Sequence, residues 1–234
     1  MNIIKTIIGA AWLAASGFAL SALPTAAHAL DLSAISNQDA SAGLKEALNK
    51  GSAAAVAKLG VQNGFLNNPK VKIPLPEGLK TAEKAMKLLG KQKQFDELVV
   101  SMNRAAEAAV PEAKVLLVDA VKNMSVADAK GIISGGDDSV TKFFQSKTQD
   151  KLTQRFLPIV KKSTEKVGLA QQYNNLAGQA AGFGVVKQED AKIENYVTRK
   201  AMDGLFLMIA EEEKAIRKDP IGTGSAILKK VFGK

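Results

Sequence analysis

The sequence predicts an all-α protein, a compact irregular multi-helix bundle with a kinked long helix and a short proline-containing extended strap. Apolar residues recur three or four positions apart from about residue 37 to residue 232, which is the spacing of a buried helix face. Capping residues, glycines and prolines separate these periodic runs and mark where helices begin and end. The run 71–75 alternates apolar and polar residues, but it contains Pro74 and precedes Pro76, so we expect it to be extended without joining a sheet.

The first 29 residues predict a secretory signal peptide. Lys5 precedes an apolar run from about Ile7 to Leu20, and the small-x-small tripeptide 27–29 follows Pro24. We therefore expect cleavage near Ala29, a periplasmic location, and a single helical domain over residues 30–234. The chain has no cysteine for a lipid anchor, and no later apolar run is long enough to span a bilayer. The mature protein is therefore expected to be soluble, monomeric or weakly associated, and not a lipoprotein.

Cleavage would also remove the only histidine, His28, and the only tryptophan, Trp12. Without imidazole or thiol groups, the mature chain cannot build Ser-His-Asp or Cys-His nucleophile systems, ordinary zinc sites or Glu-x-x-His metal sites. We therefore expect no catalytic, cofactor-binding or metal-binding residues. A reaction based on lysine and carboxylate groups, together with Tyr173 and Tyr196, remains open.

The mature chain is expected to carry a net charge one lower than the +9 of the whole sequence, because Lys5 is the only charged residue that cleavage removes. A basic exported protein can attract anionic lipids, acidic glycans or DNA. Phosphate and base contacts favour arginine over lysine, and the arginines are only Arg104, Arg155, Arg199 and Arg217. This composition argues against nucleic acid as a partner.

The first helix is expected to be capped by Ser36 or Asn37 and to end near Leu59, just before Gly60. Its buried face is predicted to contain Leu44, Leu48, Val56 and Leu59. A loop over residues 64–69 follows, and then the strap over residues 71–75. The strap either lies over the bundle or offers an edge to a partner peptide.

A second helix is expected to open at Pro74 or Pro76 and to stop at Gly90, since prolines begin helices and glycines end them. Its apolar positions are Leu79, Ala82, Met86 and Leu89. A third helix begins near Gln92, and Pro111 interrupts it, so a kink or a new helix is expected near Glu112. The inward positions are predicted to be Phe95, Leu98, Val99 and Met102 before the interruption, and Val115, Leu116, Val118 and Val121 after it.

Ser125 and Asp128 form a capping-box pattern at the start of a short helix that ends at residues 135–136. Asp137 or Asp138 is expected to cap the next helix, which contains Phe143 and Phe144. The segment 148–167 is predicted to be a further amphipathic helix, kinked or broken before Pro158. Residues 173–184 are glycine-rich and are interpreted as a flexible connection, because the GxxxG pattern at 178–182 is too polar in context to be a membrane helix motif.

A long central helix is predicted over residues 193–218, where Asp219-Pro220 ends it. Its buried stripe is Ile193, Val197, Ala201, Leu205, Ile209 and Ile216. Gly204 suggests that another helix approaches closely. Consecutive helical residues point about 100° apart, so Glu211, Glu212 and Glu213 cannot converge on one ion and are interpreted as a solvated face.

Several stretches resemble a family of exported bacterial proteins catalogued as domain of unknown function 4197. They are MSVADAKGIISGGDDSVTKFF, QRFLPIVKKSTEKVG, GLFLMIAEEEKAIRKDP and ILKKVFG. The resemblance covers nearly the whole mature chain and implies a compact helical fold and an envelope location, but no reaction. Members of the family often carry an arginine shortly after the Asp-Pro pair, and residues 221–224 of this chain contain none.

The carboxy-terminal segment 225–234 is the candidate for a moving part. Its apolar face is expected to dock in a groove of the bundle, with Phe232 as the plug, while the basic side chains stay in solvent. Gly222 and Gly224 would provide a hinge, so the segment is interpreted as a lid. The groove-facing residues are Ile227, Leu228, Val231 and Phe232, and the basic surface is Lys229, Lys230 and Lys234.

Three functions are compatible with the sequence. The favoured one is a non-catalytic binding module for a lipid, another amphiphile or a hydrophobic peptide in the cell envelope. The alternatives are a structural or chaperone-like envelope protein that acts through protein contacts, and an enzyme that uses lysine and carboxylate chemistry. The sequence does not choose the ligand or the partner.

Overall fold

The computed structural model describes residues 37–90, 92–182 and 187–219, and these residues form an all-α fold in which no strand is present. The helices are α1 (Asn37–Leu59), α2 (Glu77–Leu88), α3 (Lys93–Ala109), α4 (Ala113–Lys122), α5 (Val126–Ser134), α6 (Ser139–Thr164), α7 (Gly168–Gly182) and α8 (Ile193–Lys218). The predicted fold class is confirmed.

Helix α8 lies at the centre of the bundle and packs mainly against α6 and α1, with α3 on a further side. Its bounds agree with the prediction, and all six residues of the predicted stripe are buried. Between Leu205 and Ala210 only Leu207 is exposed, so neighbours enclose this part of the helix on most sides. The carboxylate of Glu213 pairs with Arg217 one turn later, as the spacing predicts.

Gly204 allows a close approach, but the neighbour is not another helix. A Cβ at this position would lie 2.8 Å from the Phe65 ring and 3.2 Å from Val71 Cβ. The loop and strap between α1 and α2 therefore pack directly onto the α8 backbone, which corrects the prediction of a helix contact.

The strap lies on the bundle through alternate side chains. Val71, Ile73 and Leu75 are buried, and the side-chain amide of Asn103 on α3 bonds to both backbone groups of Ile73. Asn103 Oδ1 accepts from Ile73 N at 2.8 Å, and Asn103 Nδ2 donates to Ile73 O at 2.9 Å. The Asn103 amide thus makes the two backbone hydrogen bonds that a neighbouring strand would make in a sheet. The strap is therefore extended although no strand pairs with it among the described residues.

The turn that follows α1 is held by a buried carboxylate on α3. Glu107 Oε1 accepts hydrogen bonds from the backbone nitrogens of Phe65 and Leu66, each at 3.1 Å. Arg104 donates to Glu107 Oε2 at 2.5 Å and to Asn63 Oδ1 at 2.8 Å. The arginine compensates the carboxylate charge, and together they fix the loop that carries Phe65 into the core.

Pro111 interrupts the long helical run 93–122 as predicted, because a 3-10 turn over Val110–Glu112 separates α3 from α4. The predicted apolar face of α4 is confirmed for Val121 and for the half-buried Leu116, but it is wrong for two residues. Val115 and Val118 are exposed, and the buried residues are Ala113, Leu117 and Val121. These three lie four positions apart, so they form the narrow stripe that α4 turns toward α1 and α6.

Ser125 and Asp128 form the predicted capping box, in which the Ser125 hydroxyl accepts from Asp128 N at 3.0 Å. Asp138 precedes α6 but makes no capping hydrogen bond. Its carboxylate pairs with Lys142 at 2.7 Å.

Two predicted breaks are absent. Of the kink or break predicted before Pro158, the break is absent, because helix α6 continues through this exposed residue. Residues 168–182 form a regular helix, not a flexible connection, because Ala170, Tyr173, Ala177 and Ala181 recur on one buried face. Residues 183–186 lie outside the described part of the chain.

Candidate functional site

A groove opens between residues 74–79 on one side and helices α7 and α8 on the other. It encloses about 650 Å³, which is within the range of small-molecule sites in proteins. We call it the tyrosine groove, because both tyrosines of the chain, Tyr173 and Tyr196, line it. Its other lining residues are Pro74, Pro76, Glu77, Gly78, Leu79, Leu176, Ala177, Asp190, Arg199 and Lys200.

Both phenols are fixed by hydrogen bonds to backbone carbonyls. Tyr173 Oη donates to Asp190 O at 2.7 Å, and Tyr196 Oη donates to Pro74 O at 3.0 Å. Each residue is largely buried, with about a fifteenth of its surface exposed (6% and 7%). The rings are therefore rigid apolar walls, and the Tyr196 bond also ties the strap to α8.

The environment of the tyrosines keeps them protonated. Burial raises the pKa of Tyr196 to about 12. Burial, together with the nearby Asp190 charge, also raises the pKa of Tyr173 above its ordinary value. A general base works best with a pKa close to the pH at which it operates, so these phenols are suited to shaping the groove and not to proton transfer.

Charged groups gather at one end of the groove. Arg199 forms an ion pair with Asp190, and its guanidinium lies 5.7 Å from the centre of the Tyr196 ring. Lys200 also lines the groove, with its ammonium 3.7 Å from Asp203. The Nε of Arg199 is buried and has no hydrogen-bond partner among the described residues. The groove thus combines apolar walls with a charged end, where each cation is paired with a carboxylate.

Leu176 marks the opening of the groove. Its side chain is 68% exposed, whereas Leu79 and Ala177 beside it are buried. A large apolar side chain at the rim of an apolar groove adds to the surface that a bound molecule would cover.

The register of α7 against α8 depends on Asn174. Its Oδ1 accepts from Ile193 N at 2.7 Å, and its Nδ2 donates to Glu194 Oε2 at 3.0 Å. The first residue of α8 is therefore capped by a side chain from α7. This tether places Tyr173 and Tyr196 on the same groove.

A second, smaller feature lies at the other end of α8. Glu213 is buried beside an apolar crevice between α1 and α8, where Ala47, Gly51 and Ile216 are among the lining residues. Glu213 Oε1 accepts from Arg217 at 2.9 Å, whereas Oε2 is buried without a partner among the described residues. Burial raises the pKa of this carboxyl above its ordinary value of 4.5, and Arg217 opposes that shift only in part.

The raised pKa of Glu213 predicts a pH-dependent stability. Between the two pKa values the native state holds a proton that the unfolded chain has released. The stabilisation from this proton is therefore complete below pH 4.5 and is lost as the pH rises through the folded-state pKa of Glu213. In Glu213→Gln we expect the free energy of unfolding to lose the decrease with rising pH that the Glu213 carboxyl causes. Denaturant titrations from acidic to neutral pH measure it. Glu212→Gln, on the same helix, is the control, and equal pH slopes for wild type and Glu213→Gln would contradict the assignment.

The structure separates the predicted carboxylate cluster. Glu211 pairs with Lys70 at 2.6 Å, and Glu212 pairs with Lys58 on α1. Because Glu213 is buried, the interpretation of all three as a solvated face is wrong for that residue. The expectation that they do not converge is confirmed, since each faces a different partner.

The predicted lid and basic surface, Ile227 to Phe232 and Lys229, Lys230 and Lys234, lie outside the described residues. The glycines Gly178 and Gly182 lie in α7, and a Cβ at either position would meet nothing within 4 Å. The GxxxG pattern therefore serves no helix contact among the described residues.

Sequence reasoning named the two tyrosines but did not bring them together. It missed Leu176, because the segment 173–184 is interpreted as a connection, and it assigned no site to Asp190 or Arg199, which local patterns do not place beside the tyrosines. The available signal was the helical spacing of Ala170, Tyr173 and Ala177, which places Tyr173 on a buried face.

Within the described ranges, no three His, Cys, Asp or Glu side chains lie together as a metal site would require. No helix in these ranges is both long enough and apolar enough to cross a membrane.

The chain was compared with protein families, with curated proteins and with solved structures. A family described as "Protein of unknown function (DUF4197)" matches residues 34–233. No curated protein and no solved structure matches the chain.

Proposed function

We propose that this chain, which belongs to the DUF4197 family of proteins of unknown function, binds a lipid or another amphiphile in the tyrosine groove. It does so without catalysing a reaction. The observation that carries this proposal is the combination, in one groove of about 650 Å³, of apolar walls and a charged end that contains Arg199 and Lys200. The sequence of the first 29 residues supports a location in the cell envelope, where amphiphiles are abundant.

The walls favour a hydrocarbon group. The rings of Tyr173 and Tyr196 are held by their hydroxyls, so a ligand meets their apolar faces without competing for those hydrogen bonds. Leu79, Leu176 and Ala177 complete an apolar surface. Covering the exposed Leu176 would remove apolar area from water, which is the main source of affinity for such a ligand.

The charged end favours an anionic head group. Lys200 and Arg199 both line the groove, and the buried Arg199 Nε lacks a partner among the described residues. Asp190 holds the guanidinium in place, so the cation is oriented before a ligand arrives. A carboxylate or phosphate at this end would share Arg199 and Lys200 with Asp190 and Asp203, and the Arg199 Nε–H is the donor that these ion pairs leave unused.

Two observations favour this proposal over the alternatives. The backbone groups of Ile73 already bond to Asn103, so the strap offers no free edge to a peptide at that residue. The high pKa of Tyr196, about 12, makes it a poor proton acceptor, which weighs against catalysis in the groove.

The proposal predicts that Leu176→Glu weakens binding of dansyl-undecanoic acid by about tenfold or more, equivalent to about 1.4 kcal/mol. The new carboxylate removes apolar contact and repels the probe's own charge. Because Leu176 is 68% exposed, the fold should tolerate the change. Fluorescence titration measures the affinity.

Val115→Glu on α4 is the matched control, since Val115 is similarly exposed at 66% and lies outside the groove. It should bind the probe like the wild type. Equal affinity for all three proteins would refute the groove as the binding site.

We also propose that residues 225–234 act as a lid over the crevice beside Glu213. In the sequence this segment begins six residues after Asp219, which follows α8, and Ala47, Gly51 and Ile216 line the crevice at that end of the helix. The tyrosine groove, by contrast, lies near Arg199, which is roughly 28 Å from Lys218 along the helix axis at 1.5 Å per residue. An amphiphile or a partner protein that competes for the crevice would release the segment.

Truncation after Pro220 tests the lid. We expect lower stability and additional binding of an apolar fluorescent probe, because the crevice loses its cover. The additional binding should persist when Leu176→Glu is combined with the truncation. Unchanged stability and probe binding would mean that the segment is a free tail.

A further inference from the structure

The turn between α2 and α3 carries two leucines in water. Leu88 is 88% exposed and Leu89 is 68% exposed. Gly90 follows in the left-handed conformation, with φ of +70°, between α2 and α3. We call the described residues 84–90, 92 and 93 the hairpin tip.

Helix α2 is held to the bundle at its first turn only. Leu79 is the one buried side chain among those described in α2, and the later apolar positions Ala82 and Leu89 are exposed. This differs from an ordinary amphipathic helix, whose apolar face is covered by its own protein. The far end of α2 therefore projects from the bundle.

The hairpin tip is strongly basic. The sequence 84–93, KAMKLLGKQK, has no acidic residue, and its described lysines are Lys84, Lys87 and Lys93. Lys84 and Lys87 are exposed and form no ion pair with a described carboxylate, and Lys93 makes only a long contact of 3.8 Å with Glu97. Between the flanking carboxylates of Glu83 and Asp96, the described charges of the tip are all positive and attract anions.

We propose that the hairpin tip docks the protein on an anionic lipid surface, with Leu88 and Leu89 inserted at the level of the head groups. Protruding leucines between lysines match the composition of segments that lie in the membrane interface. A second copy of the chain is a poor occupant, because two such tips would bring their lysines together. A protein partner would need a concave acidic surface to receive a convex tip.

This docking does not depend on the tyrosine groove, since none of the residues of the tip lines it. It also differs from the predicted role of the carboxy-terminal segment, which concerns other lysines.

A single tryptophan at the tip tests the proposal in the full chain. In a Trp12→Phe background, Leu89→Trp places the only tryptophan at the tip, and Val115→Trp places it at an equally exposed site on α4. Vesicles of phosphatidylcholine and phosphatidylglycerol in equal parts, with brominated acyl chains, should quench and blue-shift the first reporter and not the second. Vesicles of phosphatidylcholine alone should do neither.

Adding Lys84→Gln and Lys87→Gln to the Leu89→Trp chain should weaken the vesicle response by about 25-fold, since each lysine near an anionic surface contributes about fivefold. Four results would overturn the proposal. They are no quenching at position 89, equal quenching at both positions, equal quenching by neutral vesicles, and a blue-shifted tip reporter without vesicles, which would mean that protein already covers the tip.

Discussion

Glu107→Ala is expected to lower the free energy of unfolding by about 2–5 kcal/mol. The substitution leaves the backbone nitrogens of Phe65 and Leu66 without their acceptor, and an unsatisfied buried donor costs about 1–3 kcal/mol. It also leaves Arg104 without the carboxylate that compensates it. Phe65 is fully buried against Gly204, so a loosened loop would also disturb the packing on α8.

Denaturant unfolding of Glu107→Ala and Glu97→Ala measures this effect. Glu97 lies on the same helix and forms an exposed contact with Lys93 at 3.8 Å, so its loss should cost less than about 1 kcal/mol. If the two variants were equally stable, Glu107 would not hold the loop.

Leu205→Ala, and separately Ile209→Ala, should each destabilise the protein by about 2–5 kcal/mol, the usual cost of emptying a core position. Both side chains are buried where α8 meets its neighbours, with at most 1% of their surface exposed. Leu207→Ala is the control on the same helix, because Leu207 is 42% exposed. A loss below about 0.5 kcal/mol for both core variants would show that α8 is not the central helix.

Helix α8 was predictable because its signal is long and redundant. Six apolar residues spaced mostly four apart agree with one another, and Asp219-Pro220 fixes the end. In α4 the same method placed Val121 correctly but misplaced Val115 and Val118, since the apolar run 115–118 is compatible with several faces. The stripe that packs against the neighbouring helices is the one of Ala113, Leu117 and Val121.

Glycine content misled the prediction for α7. Local propensity disfavours a helix through Gly178, but burial of Ala170, Tyr173 and Ala177 against the bundle outweighs it. Helix α6 likewise continues through a residue that disfavours a helix, Pro158, which lies on its exposed side.

The contacts that build the site were beyond local sequence patterns. Asn103 and Ile73 are 30 residues apart, and Glu107 and Phe65 are 42 apart. Tyr196 and Pro74, which join the two walls of the tyrosine groove, are 122 apart. Periodicity assigns residues to faces, but it does not say which faces meet across such separations.

The most direct test of amphiphile binding is native mass spectrometry of the protein purified from the cells that produce it, in wild-type and Leu176→Glu forms. The proposal predicts a bound mass with the fragmentation of a lipid or another amphiphile in the wild type, and its loss or strong depletion in Leu176→Glu but not in Val115→Glu. A wild-type protein that carries no such mass, or one retained equally by all three forms, would contradict binding in the tyrosine groove.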